Sequence, residues 1–467
     1  MTTHRDAFTP VTQSDAASAR PDSPDAAAAA PVSAQQLRRA ILTSAVGSAL
    51  EYYDFAIFGL ATALIFSRVF FSTFDAHAGL LASFATYGVG FLARPLGGVF
   101  FGSLGDRKGR KFVLLMTIAI MGVSTTLVGL LPAGPLGAVG LIVLRLIQGF
   151  GAGAEQAGAS TLMAEVAPVK RRGYFAALPF VGIFAGFGIA TATFSLLQHS
   201  MDTATILAWG WRIPFLASVV LIGVAIWIRL KLRESPAFAA LESGHQVARS
   251  PIRQVTQHAR RPVLAAVLMR LAEQGGSTIY TTIVIAFLGG TVANRLGVPG
   301  AQLAKIGTSC AIVVTLASVI TTPLFGALSD RFGRKTIYRA GAIFMLLWAM
   351  PAWWMISTGE PLWVGIAMFG GFALGANSML GAQCAHFAEL FGNRYRYSGV
   401  ALSREIGAVL SGGLAPILGI YLIGLAGGAF WVMGLYTAVL SALTLVGVWL
   451  STETRGRDLT DLNDAVN

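Results

Sequence analysis

Gly102-Ser-Leu-Gly-Asp106-Arg107-Lys-Gly109-Arg110-Lys111 returns 224 residues later as Gly326-Ala-Leu-Ser-Asp330-Arg331-Phe-Gly333-Arg334-Lys335. Each copy joins two long apolar runs, so the chain reads as two related halves. The physics of the pattern is readable. Gly102 and Gly326 let neighbouring helices approach closely. Asp106 and Asp330 can cap or pair near a helix N-terminus. Gly109 and Gly333 permit a tight turn. The basic pairs hold the loop on one side of a membrane. A second echo is Glu165-Val-Ala-Pro168 leading to Arg171, Arg172 and Gly173. Its counterpart is Glu389-Leu-Phe-Gly leading to Arg394, Arg396 and Gly399.

Outward from these loops the chain is strongly apolar. Of 467 residues, 55% are hydrophobic and 12% charged, with mean hydropathy +0.66. A soluble surface of this size needs more charge. A bilayer core needs roughly 20 apolar residues per spanning helix, and lipid offers no partner to an open strand edge. Twelve runs qualify, near 38–66, 78–104, 112–131, 136–164, 174–199, 209–230, 262–290, 302–328, 337–357, 361–390, 398–424 and 429–450. The expected fold is an all-α membrane protein, with twelve transmembrane helices in two six-helix pseudo-symmetric bundles. The expected divisions are a disordered tail over 1–36, a bundle over 37–230, a linker over 231–261, a bundle over 262–452 and a tail over 453–467. The tail over 1–36 does not read as a signal peptide, because the first apolar run is full length and carries acids.

The net charge of +12 is distributed by topology. If the N-terminus is cytoplasmic, the opposite face holds only Arg68, Arg295 and Lys305. This asymmetry is the positive-inside rule and places both termini in the cytoplasm. No localised basic cluster points to nucleic acid. Cys310 and Cys384 fall inside helices and read as packing residues, with no disulfide or metal set. No nucleophile elbow or phosphate loop suggests an enzyme.

Charges within spans are candidate functional residues, since each costs at least roughly 2.5–3.5 kcal/mol at mid-membrane. They are Glu51, Asp54, Arg94, Arg145, Glu155, Arg270, Glu273, Arg404 and Glu405. Glu51 and Asp54 share a helix face, and crowding disfavours ionising both. One can hold a proton, or each can form a static pair with an arginine. Arg270 and Glu273 are either an intrahelical pair or a carboxylate fork with a titrating neighbour. Gln274, Ser277, Thr278 and Tyr280 extend a polar face along the same helix. Asn377 and Gln383 can bond substrate, and Arg404 lies between a gate role and substrate contact. Arg94 is expected to pair structurally, with Glu155 as the partner. Asp106, Arg107, Arg110, Glu165, Arg172, Asp330, Arg331, Arg334, Glu389 and Arg396, with the motif glycines, are expected to form ion pairs that close one conformation.

The doubled motif is the signature of the major facilitator superfamily, which this chain resembles from about residue 38 to 452. Leu141-x-x-x-Arg145-x-x-Gln148-Gly149 looks like its second motif. More narrowly, the chain resembles the metabolite:proton symporter family. The matching residues are Glu51-Tyr-Tyr-Asp54-Phe55, Phe91-Leu-Ala-Arg94-Pro95-Leu-Gly-Gly, Trp209-Gly-Trp211-Arg212-Ile-Pro214-Phe and Tyr397-Ser-Gly. Gly153-Ala154-Glu155-Gln156 departs from that family's Gly-Gly-Glu element. The resemblance makes helices 1 and 4 neighbours, and hence Asp54–Arg145 the favoured pair. It implies a secondary transporter with no cofactor, driven by the proton gradient. The expected activity is symport of a small, anionic organic acid by a monomer in a bacterial inner membrane. Proline or betaine uptake, or an uncoupled facilitator, are the alternatives. On this reading Glu51, Asp54, Arg145 and Glu155 couple protons. Arg145, Arg270, Glu273, Gln274, Tyr280, Asn377, Gln383 and Arg404 contact substrate.

Overall fold

The structure, a computed structural model, describes residues 34–465 except 75, 231–233, 235 and 244–250. All regular structure among these residues is helical. Twelve helical passes follow in order. In the first half they are α1 (34–69), α2 (Ala76–Lys108), α3 (Arg110–Val128), α4 (Pro135–Val166), α5 (172–200) and α6 (Ile206–Leu230). In the second they are α7 (Arg260–Leu296), α8 (Gly300–Phe332), α9 (Arg334–Ser357), α10 (Pro361–Leu390), α11 (396–425) and α12 (Trp431–Leu450). By length and composition, the ten from α3 to α12 are apolar enough to cross a membrane. Large apolar side chains such as Leu92, Leu347 and Trp449 point outward and are exposed, whereas the mid-span charges Glu51, Arg145, Arg270 and Arg404 are buried. This inversion suits a lipid surround.

Small residues set the closest helix contacts. A Cβ on Gly182 or Gly186 of α5 would lie 2.0 Å from the carbonyl oxygens of Ala45 and Ala49 on α1. One on Gly153 of α4 would lie 2.0 Å from the Arg94 carbonyl on α2. Backbones can approach this closely only where no side chain intervenes. The contacts seat α5 directly against α1 and α4 directly against α2.

The turns between α2 and α3 and between α8 and α9 are made by Gly109, at φ 95°, and Gly333, at φ 103°. A side chain there would be strained, so the turn expected of these glycines is built. Much of the tail over 1–36 lies outside the described residues, and α1 already begins at Ala34. The linker is described in part, with short helices Pro236–Ser243 and Pro251–His258. The segment expected as a tail over 453–467 packs against the motif end of the molecule as far as residue 465.

Candidate functional site

The motif end is closed by two matched networks. Asp106 accepts hydrogen bonds from the Tyr397 and Ser398 backbone N–H groups, at 3.1 and 2.8 Å. Asp330 accepts from Gly173 and Tyr174, at 2.8 and 2.9 Å. Each motif aspartate therefore caps the first turn of a helix in the opposite half, α11 or α5. Glu165 takes Arg110 at 3.2 Å and Arg396 at 2.9 Å. Glu389 takes Arg334 at 3.1 Å and Arg172 at 2.9 Å. Every member of one network is the other's counterpart, 224 residues along. The carboxylates of Glu234 and Glu453 cap the starts of α3 and α9 through Arg110 and Arg334 N–H, both at 2.9 Å. Gly102 packs on the Ser398 backbone. Arg107 and Arg331, expected in the gate, are instead exposed at its edge.

The C-terminal segment crosses this gate. Arg172 donates to the Arg457 carbonyl at 2.8 Å, Arg396 to the Leu459 carbonyl at 2.6 Å, and Thr454 to Glu389 at 2.8 Å. Leu459 is buried between Ala164 of the first half and Ala388 of the second.

Deeper in the molecule, a continuous polar network joins the halves. Arg94 of α2 holds Glu51 of α1 at 3.0 Å and Glu405 of α11 at 2.8 Å. Gln156 of α4 donates to the same Glu51 oxygen at 3.2 Å and accepts from Arg404 at 2.7 Å. Arg404 and Arg270 both donate to the Gln383 oxygen, at 2.7 and 2.9 Å. Arg270 also pairs with Glu273 and donates to Gln274 at 2.7 Å. Gln383 bonds Glu273 at 3.3 Å and Tyr338 at 3.0 Å. All the charged members are buried. Beside them a small cavity of about 80 Å³ lies between the halves, lined by Tyr52, Gln156 and Phe184 from the first and Arg270, Asn377 and Arg404 from the second.

Several expectations need correction. Arg94 does not pair with Glu155. Glu155 is held by Arg229 of α6 and by Thr117 at 2.8 Å, an ion pair internal to the first half. Asp54 and Arg145 form no ion pair either. Arg145 donates to Gln148 at 2.6 Å, Gln148 donates to Thr125 at 2.6 Å, and both Thr125 and Gln148 lie against Asp54. The Arg145 guanidinium stacks over Phe58 at 4.2 Å and Phe55 at 4.7 Å. Glu51 and Asp54 thus enter separate networks. Tyr280 is buried in the core of the second half with its ring against Gly371, and does not line the cavity. Gln383 lies beneath the two arginines rather than on the cavity wall, and Asn377 lines the cavity while bonding Ser318 at 2.6 Å.

Sequence reasoning missed Arg229, Tyr338, Glu234 and Glu453 as partners. Arg229 sits in the last turn of the sixth span and Glu234 just beyond it, where charges ordinarily flank a membrane helix. The Glu453 and Glu234 caps follow no common offset, so the repeat could not reveal them.

Residues 40–262 match the family model described as "Sugar (and other) transporter", and residues 274–463 match the "Major Facilitator Superfamily" model. The shikimate transporter of Escherichia coli K12 is 35% identical over 422 residues, covering 88% of this chain and 94% of that protein. The chain belongs to the major facilitator superfamily. It is a multi-pass membrane transporter of a small molecule, not an enzyme. A glycine betaine/proline/ectoine/pipecolic acid transporter, OusA of Dickeya dadantii, is 31% identical over 406 residues, covering 83% of this chain and 78% of that one. The superfamily fold itself is matched by the proton:xylose symporter XylE bound to 6-bromo-6-deoxy-D-glucose. It has a TM-score of 0.70 at 16% identity, covering 92% of this chain and 98% of that one.

Proposed function

We propose that this transporter takes up a small organic acid with protons, by alternating access about the central cavity. The observation that carries the reading is the pair Arg270 and Arg404. Both are buried at the cavity wall, and Glu273 is their only carboxylate partner within hydrogen-bond distance among the described residues. A guanidinium fork matches a carboxylate and stays charged. The acids of the same network supply sites for a proton. The motif-end gate closes one face, so substrate enters from the other and leaves when the gate opens. With the motif end cytoplasmic, in line with the positive-inside rule, the closed gate belongs to the outward-facing half of the proposed uptake cycle. The protein acts as a monomer in the bacterial inner membrane, with the proton gradient as its energy source and no cofactor.

Uptake into proteoliposomes, with an imposed pH gradient, tests this against shikimate, 2-oxoglutarate, citrate, proline and glycine betaine. The reading expects acid-driven accumulation of at least one carboxylate. Accumulation of betaine or proline with none of the carboxylates carried would replace it with an osmolyte carrier. Carboxylate flux indifferent to the gradient would make the protein a facilitator.

A further inference from the structure

The central network divides into two clusters of opposite charge. Glu51, Arg94 and Glu405 contain two carboxylates and one guanidinium. Arg270, Glu273 and Arg404 contain two guanidiniums and one carboxylate. Gln156 touches both: its Nε2 donates to Glu51 Oε1 at 3.2 Å and its Oε1 accepts from Arg404 Nη2 at 2.7 Å. Glu51 Oε2 is buried and has no hydrogen-bond partner.

We infer that Gln156 is the coupling residue: it links an anion site at Arg404 and Arg270 to a proton site at Glu51 Oε2. This rests on the function proposed above and names where its two ligands bind.

The argument is one of charge and hydrogen bonding. An isolated excess charge is costly in a low-dielectric interior. The two clusters cancel while both are empty. A carboxylate bound at the arginines neutralises their excess positive charge and leaves the excess negative charge of the other cluster uncompensated. One proton on Glu51 restores the balance. The amide transmits the event mechanically. When the incoming carboxylate takes the Arg404 fork, Nη2 releases Gln156 Oε1. The freed amide turns, and Glu51 loses one of the two donors that stabilise its charge. A hydronium ion then gives its proton to Oε2: its O–H bond breaks, the Glu51 O–H bond forms, and water is released. Linkage is reciprocal, so a proton on Glu51 favours the anion equally.

Each group facing Glu51 fits this assignment. Arg94 comes from α2 and Gln156 from α4. Glu405 of α11 is reached through Arg94. Glu155 of α4 is already neutralised by Arg229 of α6. Asp54, one turn along α1, faces Thr125 and Gln148 instead.

The test compares wild type with Gln156→Leu, which keeps the side chain's bulk but makes neither bond, using shikimate as probe. In weakly buffered detergent solution with a pH indicator, wild type should take up about one proton per shikimate bound. Gln156→Leu should bind shikimate without taking up a proton. In proteoliposomes a gradient of one pH unit should drive about tenfold accumulation by wild type. The variant should show none, with a size-exclusion peak matching wild type showing that it is folded and any remaining shikimate exchange indifferent to the gradient. If the leucine variant does not fold, Gln156→Asn, too short to span both partners, takes its place with the same expectation. Proton uptake by either variant equal to wild type overturns the inference and leaves the transport reading intact. Wild type that binds shikimate with no proton uptake overturns the inference as well. Wild type that carries no carboxylate of the panel overturns both.

Discussion

Arg94 of the first half grips Glu405 of the second at 2.8 Å, inside the helices rather than in the loops that join them. The pair spans the surface along which the two halves must part when the motif end opens. It also shares its arginine with Glu51, so opening the gate and the charge state of α1 are tied together.

Removing the charge of Glu405 should therefore loosen the closed form. Truncating one partner of a buried charge pair costs roughly 2–5 kcal/mol. In Glu405→Gln the population opened at the motif end should rise by about tenfold or more. Cys384, 1% exposed on α10 and close to Arg404, is a native reporter. Its labelling by a small maleimide should speed up accordingly. An unchanged rate would count against Arg94–Glu405 as a lock.

The two motif aspartates should be equivalent. Asp106→Asn and Asp330→Asn each keep the shape but weaken a cap on the opposite half, at a cost of about 1 kcal/mol. Each should speed Cys384 labelling by about fivefold, and the double variant should show the product of the two. A large effect from one and none from the other would break the symmetry of the gate.

The C-terminal segment should act as a third gate element. Leu459 is buried between Ala164 and Ala388, one from each half. Leu459→Asp should open the motif end and lower the melting temperature, while Leu459→Met, which conserves volume, should change either by little. Equal labelling of Cys384 in both variants would show that the segment only covers the gate.

Stability should fall in acid through Glu453. Burial works against its charge, but backbone N–H bonds from Arg455 and Arg334 outweigh this and hold the carboxyl below its ordinary value. The folded protein thus favours the charged form. The contribution is complete above the unfolded value of about 4.3 and is lost as pH falls towards the lower folded one. Melting temperatures of wild type should decline over that window, and Glu453→Gln should be less stable above it and flatter across it.

The two buried acids of α1 should separate in function. Glu51 belongs to the network that reaches the cavity, and Asp54 lies against Thr125 and Gln148. Glu51→Gln should abolish acid-driven accumulation while sparing exchange. Asp54→Asn should leave accumulation within about threefold of wild type. The reverse result would move the proton site to Asp54.

The sequence by itself determined the twelve passes and the paired motif loops of the two halves. Each is encoded by local or repeated chemistry. Apolar length demands a spanning helix. A motif repeated at one offset announces symmetric loops, and Glu165 with Arg172 could be matched to Glu389 with Arg396 by that offset alone. The spacing of Arg270 and Glu273 likewise made an intrahelical pair one of two open readings, and the pair is formed. Only the tertiary structure decided the partners of the remaining buried charges. Arg94 meets Glu51 and Glu405, 43 and 311 residues away, and Glu155 meets Arg229 on another helix rather than Arg94. Spacing along one helix says which residues share a face. It does not say how that helix is turned against five or six neighbours, which depends on close contacts such as those of Gly153 and Gly186. That rotation carried Gln156, a departure from a family motif, into the position between Glu51 and Arg404 where the two charged clusters meet.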